Sequence, residues 1–105
     1  MNAIDTIIRV GNPLPRLAGV RPAEGLAVTV TWATGLRAGR SDTVDLAPVI
    51  TSLRFYAPLR QNAALLGTVT VDEDGSALMW DGGRIDMAAT TVERLAETAA
   101  EAVRA

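Results

Sequence analysis

The chain has 105 residues, of which 49% are hydrophobic and 21% are charged, and arginine is its only basic residue type. This length supports one globular core, and no apolar run approaches the roughly 20 residues that span a bilayer. Because histidine, cysteine and lysine are absent, the composition excludes an imidazole base, a thiolate nucleophile, Schiff-base chemistry and zinc sites built on cysteine or histidine.

The N-terminal stretch, residues 1–15, is predicted to be an arm and linker, because Gly11, Pro13 and Pro15 interrupt its apolar positions. It lacks the continuous apolar core of a secretory signal, so we expect a cytoplasmic protein. Residues 16–105 are expected to form a single domain.

Two β-hairpins are predicted. The first has its clearest strand at residues 26–32, where Leu26, Val28, Val30 and Trp32 alternate with smaller or polar residues. A turn at 34–35 then leads to a return strand within residues 36–44, and residues 16–21 are a weaker strand candidate. The second hairpin pairs residues 68–71 with 77–80 across the acidic turn Asp72–Gly75.

The segment between the hairpins is predicted to hold two short helical turns, capped by Asp45 and Asn62. It also places Arg54 and Arg60 beside the aromatic residues 55–56, a mixture found in single-strand nucleic-acid binders. The net charge of -2 and the 4% aromatic content do not fit such a binder. We therefore expect no nucleic-acid partner and a core position for Phe55.

The C-terminal stretch changes to a helical period. Apolar residues share one face at positions 92, 95, 96, 99 and 103, and Thr90 with Glu93 forms a capping box. Strands followed by a helix predict an α+β fold: a small antiparallel sheet of two hairpins plus short turns, with a C-terminal amphipathic helix packed on one face.

A resemblance to a known family rests on the order and spacing of motifs across residues 16–95. These motifs are Leu26-x-Val28-x-Val30-x-Trp32-x-x-Gly35, Val44-Asp45-Leu46-x-Pro48, Phe55-x-x-x-Leu59-Arg60, Val69-x-Val71-x-x-x-Gly75-x-x-x-x-Trp80-Asp81 and Ile85-Asp86-Met87. Together they resemble the prokaryotic proteins grouped as domain of unknown function 2442, although Thr34, Leu66 and Ala89 depart from the usual pattern. The resemblance implies a compact α+β domain of bacterial origin, without an assigned activity or catalytic residues. It also implies, for some relatives, a small partner encoded nearby in a toxin–antitoxin-like arrangement.

Two clusters are candidate partner-binding sites. The first contains Trp80, Asp81 and Asp86, although Trp80 could instead fill the core while Asp86 helps to cap the helix. The second contains Glu93, Glu97 and Glu101, which recur every four residues along the helix and form either a solvated face or a docking stripe.

The charge distribution favours a basic partner. Residues 1–52 carry a net charge of +1, whereas residues 53–105 carry a net charge of -3. The leading hypothesis is therefore a non-catalytic protein-binding domain with no cofactor and no metal. The family resemblance implies that this domain is an antitoxin-like partner of a small protein encoded nearby. The alternatives are a structural or homo-oligomerisation domain and, third, a metal-dependent enzyme that uses carboxylates, namely Asp72, Asp74, Asp81 and Asp86.

Overall fold

The computed structural model describes residues 14–104, with side chains described as far as Glu101. It contains two three-stranded antiparallel sheets, a helical segment between them and a C-terminal helix. This confirms the predicted α+β class, with one more strand in each sheet than a hairpin supplies. Residues 1–13 of the predicted arm lie outside the described residues.

The first sheet has the order β1 (Arg16–Pro22), β2 (Ala27–Thr34) and β3 (Ser41–Asp45). The predicted alternation in β2 is confirmed, since Val28, Val30 and Trp32 are buried. On the opposite face, threonine and serine hydroxyls bond in pairs across β2 and β3. The prediction for β3 was wrong at its start, because Gly35 and Gly39 have positive φ angles of 97° and 84° and enclose a turn.

The segment between the two sheets, residues 46–69, is called the connector below. It contains α1 (Ala47–Ile50), a 3₁₀ turn (Arg54–Tyr56), α2 (Ala57–Gln61) and α3 (Ala63–Leu66). The predicted cap at Asn62 is confirmed, because its Oδ1 accepts from the amide of Leu65 at 3.1 Å. The prediction for Asp45 was wrong by one position: Leu46 is the N-cap of α1, and Asp45 lies before it, although its Oδ1 accepts from the amide of Ala47 at 2.9 Å.

The second sheet has the order β4 (Thr70–Val71), β5 (Ala77–Trp80) and β6 (Ile85–Ala88). The predicted hairpin is confirmed, but β6 was not predicted as a strand. Its four residues lie between the tight turn Asp81–Gly83 and the last helix, so the alternation is too short to stand out in the sequence.

The two sheets meet at the acidic turn. The amide of Leu17 donates to the carbonyl of Gly75 at 2.7 Å, which ties β1 to the turn between β4 and β5. Gly75 has a φ of 79°, and a Cβ atom there would lie 2.5 Å from the carbonyl oxygen of Leu17. Only glycine fits this contact without a shift of the backbone.

The last helix, α4 (Ala89–Arg104), follows β6 without a loop and packs against β3 and β6. It begins one residue before the expected cap Thr90, which therefore lies inside the first turn, and Asp86 lies on β6 rather than at the helix start. Val92 and Ala96 are buried, whereas Ala99 is exposed. Among residues 14–104, no helix is both long enough and apolar enough to cross a membrane.

Candidate binding surface

The aromatic residues divide sharply by burial. Trp32, Trp80 and Tyr56 have 1%, 1% and 7% of their surface exposed, whereas Phe55 has 53% exposed. The predicted core position for Phe55 was therefore wrong. Tyr56 takes the inward position because its hydroxyl has a partner inside, the carbonyl of Asp86, to which it donates at 2.8 Å.

Phe55 and Leu53 are the two exposed large apolar side chains of the connector. Leu53 is 52% exposed and stands two residues before Phe55, and each is a large apolar side chain left in water. The ring of Phe55 is held edge-on against the ring of Tyr56, with centroids 5.0 Å apart. The buried neighbour thus fixes the backbone from which the exposed ring projects.

The same segment carries two arginines. Arg60 Nη1 donates to the carbonyls of Ile50 and Leu53, at 2.7 and 3.2 Å, so its guanidinium lies against the Leu53 backbone. Arg54 is exposed and lies between Leu53 and Phe55 in the sequence. Leu53, Arg54, Phe55 and Arg60 are called the connector patch below.

A second polar cluster joins the C-terminal helix to the first sheet. Arg37, from the turn before β3, donates through Nε to Glu97 Oε2 at 3.0 Å and through Nη1 to Asp42 Oδ2 at 3.0 Å. Asp42 Oδ2 also accepts from the indole Nε1 of Trp32 at 2.8 Å. Because only 7% of the Arg37 side chain is exposed, this network is an internal bridge.

The charges of this bridge stabilise one another. Burial alone would raise the pKa of Asp42, but hydrogen bonds from Trp32 and Arg37 and the charges of Arg37 and Arg40 outweigh it and leave that pKa lowered. Burial alone would likewise lower the pKa of Arg37, yet Asp42 and Glu97 leave it raised. Both groups are therefore ionised at neutral pH, and the bridge is structural.

The first predicted cluster, at the end of β5, separates into different roles. Trp80 is fully buried and donates from Nε1 to the carbonyl of Leu66 at 3.0 Å, so its ring offers no surface to a partner in this structure. Asp81 is exposed and has a positive φ of 55°, and its Oδ2 lies 3.8 Å from Nη1 of Arg84. Asp86 is exposed on β6, and its backbone carbonyl accepts the hydrogen bond from the Tyr56 hydroxyl.

The second predicted cluster is not a continuous acidic stripe. Glu97 is bonded to Arg37, with Nη2 2.9 Å from Oε2. Glu93 is partly buried, and its Oε2 has no hydrogen-bond partner among the described residues. Glu101 is exposed, and the Glu97 side chain keeps 43% of its surface exposed. The three carboxylates that led us to expect a basic partner thus have three different environments.

The carboxylates of the metal alternative do not form a common site. Asp72 accepts from the Ser76 hydroxyl and the Ala77 amide, while Asp74 accepts from the Ser76 amide and pairs with Arg16. Hydrogen bonds from Ser76 lower the pKa of Asp74. Within residues 14–104, no three carboxylates come together as metal ligands would.

Comparisons of the chain with models of protein families, with curated proteins and with solved structures found no match. The resemblance to domain of unknown function 2442 therefore stays a prediction, and so do the cytoplasmic location, the bacterial origin and the toxin–antitoxin-like setting that it implies.

Proposed function

We propose that this chain is a non-catalytic protein-binding domain and that the connector patch is its contact surface. The observation that carries the proposal is the exposure of Phe55, at 53%, in a chain that buries its three other aromatic residues. Solvent-exposed large apolar side chains favour a partner that covers them. Aromatic and arginine side chains contribute most of the binding energy at protein interfaces.

The surroundings of Phe55 suit such a contact. Its backbone belongs to a 3₁₀ turn that leads directly into α2, and Tyr56 anchors the same turn to β6 through its hydroxyl. A rigid scaffold reduces the entropy lost when a partner binds, so a single projecting ring contributes more to affinity.

The test begins with site-specific photo-crosslinking in the cells from which the sequence comes. Phe55→p-benzoyl-phenylalanine should give one protein adduct, which mass spectrometry identifies. The matched control is the same replacement at Leu36, which is 65% exposed in a different loop. Absence of an adduct from position 55, or the same adducts from both positions, contradicts the proposal.

The second step uses purified proteins and calorimetry. Phe55→Ser should weaken binding of the identified partner by about tenfold or more, because it removes the apolar group at the centre of the contact. Leu36→Ser should leave the dissociation constant unchanged. An equal effect of both substitutions, or no effect of Phe55→Ser on a folded protein, would rule out the connector patch as the binding surface.

A further inference from the structure

We infer that the partner of the connector patch is a protein with an acidic surface around an apolar pocket. This inference rests on the proposed function, since it names the kind of protein that Phe55 contacts. It also differs from the expectation of a basic partner, which depended on the glutamates of α4.

The first support is the charge of the connector. Residues 46–69 contain two arginines and neither aspartate nor glutamate, in a chain with a net charge of -2. The acidic residues are concentrated elsewhere, at the turn after β4 and along α4. The connector is therefore a local positive region that also carries the exposed apolar pair Leu53 and Phe55.

The second support is that this positive charge is not neutralised within the described part of the chain. Among residues 14–104, neither Arg54 nor Arg60 has a carboxylate within 4.0 Å, whereas Arg16, Arg37 and Arg40 each do. Asp86 does act on the neighbouring Tyr56 hydroxyl, whose pKa is raised first by burial and then by that charge. Among the described residues, the Asp86 carboxylate lies within 4.0 Å of neither connector arginine.

The third support is the position of the guanidinium groups. Arg60 Nη1 is occupied by two backbone carbonyls, which fixes the orientation of the planar group beside Leu53. A fixed guanidinium loses little entropy when a carboxylate binds its remaining donors, and the fork geometry favours bidentate contact. Arg54 adds a second, exposed cation, next to Leu53 in the sequence.

A protein fits this surface better than a nucleic acid does. Single-strand binders stack successive bases on several aromatic side chains along a basic groove. Here one ring is exposed, its aromatic neighbour Tyr56 is buried, and the adjacent exposed side chain is the aliphatic Leu53. The connector instead combines an exposed apolar pair with two arginines, which complement a protein pocket that has an apolar centre and carboxylates at its rim.

The experiment measures binding of the cross-linked partner to the purified full-length chain by calorimetry. Arg54→Glu is the test variant, because the Arg54 side chain is exposed and makes no hydrogen bond or ion pair with another described side chain. Arg94→Glu, at an exposed position of α4, is the matched control. We expect Arg54→Glu to weaken binding about fivefold or more and Arg94→Glu to have no such effect. The dissociation constant should also rise between about 50 and 300 mM salt, as screening of opposite charges requires.

The outcomes separate the two proposals. If Phe55→Ser abolishes binding but Arg54→Glu leaves it unchanged or tightens it, the acidic-partner inference is wrong and the binding surface stands. If Phe55→Ser has no effect, the proposed function itself is wrong. An adduct with a second copy of the chain, or an adduct removed by nuclease rather than protease, overturns the inference in favour of self-association or nucleic-acid binding.

Discussion

The bridge at Arg37 predicts a large and specific loss of stability when its charge is removed. Arg37→Met keeps most of the side-chain volume but leaves Asp42 and Glu97 without their shared cation. In the wild-type chain, Arg37 donates from Nε to Glu97 Oε2 and from Nη1 to Asp42 Oδ2, each at 3.0 Å, and its Nη2 lies 2.9 Å from Glu97 Oε2. The change therefore isolates the ionic contribution of a nearly buried group.

The size of the effect follows from the exposure of the two carboxylates. Breaking a buried ion pair by removing one partner costs about 3 to 5 kcal/mol. The Glu97 side chain is 43% exposed and can regain water, whereas the Asp42 side chain is only 18% exposed and keeps Trp32 and Arg40 as partners. We therefore expect Arg37→Met to lower the free energy of unfolding by about 2 to 4 kcal/mol.

Urea unfolding followed by tryptophan fluorescence measures this change. At a slope of about 1.5 kcal/mol per molar urea, a loss of 3 kcal/mol lowers the midpoint by roughly 2 M. Arg94→Met removes an exposed arginine from α4, the helix that carries Glu97; it is the control and should change stability by less than about 0.5 kcal/mol. A double-mutant cycle with Glu97→Gln should show coupling, because the two side chains are in contact. If Arg37→Met costs no more than the control, the bridge contributes nothing and the reasoning is refuted.

Three further predictions concern the same fold. Because the pKa of Asp42 is lowered in the folded chain, this carboxylate stabilises the fold at pH values above the ordinary aspartate pKa of about 4, and that stabilisation is lost as the pH falls through the lowered pKa. Asp42→Asn should therefore reduce the loss of unfolding free energy between pH 7 and pH 3. An unchanged dependence of stability on pH would show that Asp42 is not its source. Gly75→Ala should destabilise the chain by about 2 kcal/mol or more, because its Cβ would lie 2.5 Å from the Leu17 carbonyl oxygen at a φ of 79°, and thermal unfolding with no fall in midpoint would contradict this contact. Tyr56→Phe should cost about 1 kcal/mol by removing the hydroxyl bond to Asp86, and a urea midpoint equal to that of the wild type would show that the bond contributes nothing.

Local patterns in the sequence were sufficient for the longest regular elements, but not for β6 or for the start of β3. The alternation that ends at Trp32 and the helical stripe that begins at Val92 each involve residues close together in the chain. The alternation and the helix were confirmed, and the stripe is buried at Val92 and Ala96 but exposed at Ala99. The cap at Asn62 was also predicted, because a cap acts over two or three residues, whereas Asp45 lies one residue before the N-cap of α1.

Features that depend on distant residues were not predictable in this way. Phe55 and Tyr56 are adjacent aromatics, and which one turns inward depends on the Asp86 carbonyl, 30 residues away in the chain. Arg37 has no local pattern that marks it, because Glu97 follows 60 residues later. An excess of connector arginines over acids was visible in the composition of residues 46–69, and it is the signal that could have drawn attention to this surface.

The most direct test of the central claim is the solvent accessibility of the Phe55 ring in the free protein. The chain has one phenylalanine and one tyrosine, so selective labelling gives ring signals in NMR spectra that need no further assignment. The account predicts that a soluble paramagnetic agent broadens the Phe55 ring signals strongly and leaves the buried Tyr56 ring signals much sharper. Equal protection of the two rings would contradict it, because Phe55 would then be a core residue and the chain would have no connector patch to offer a partner.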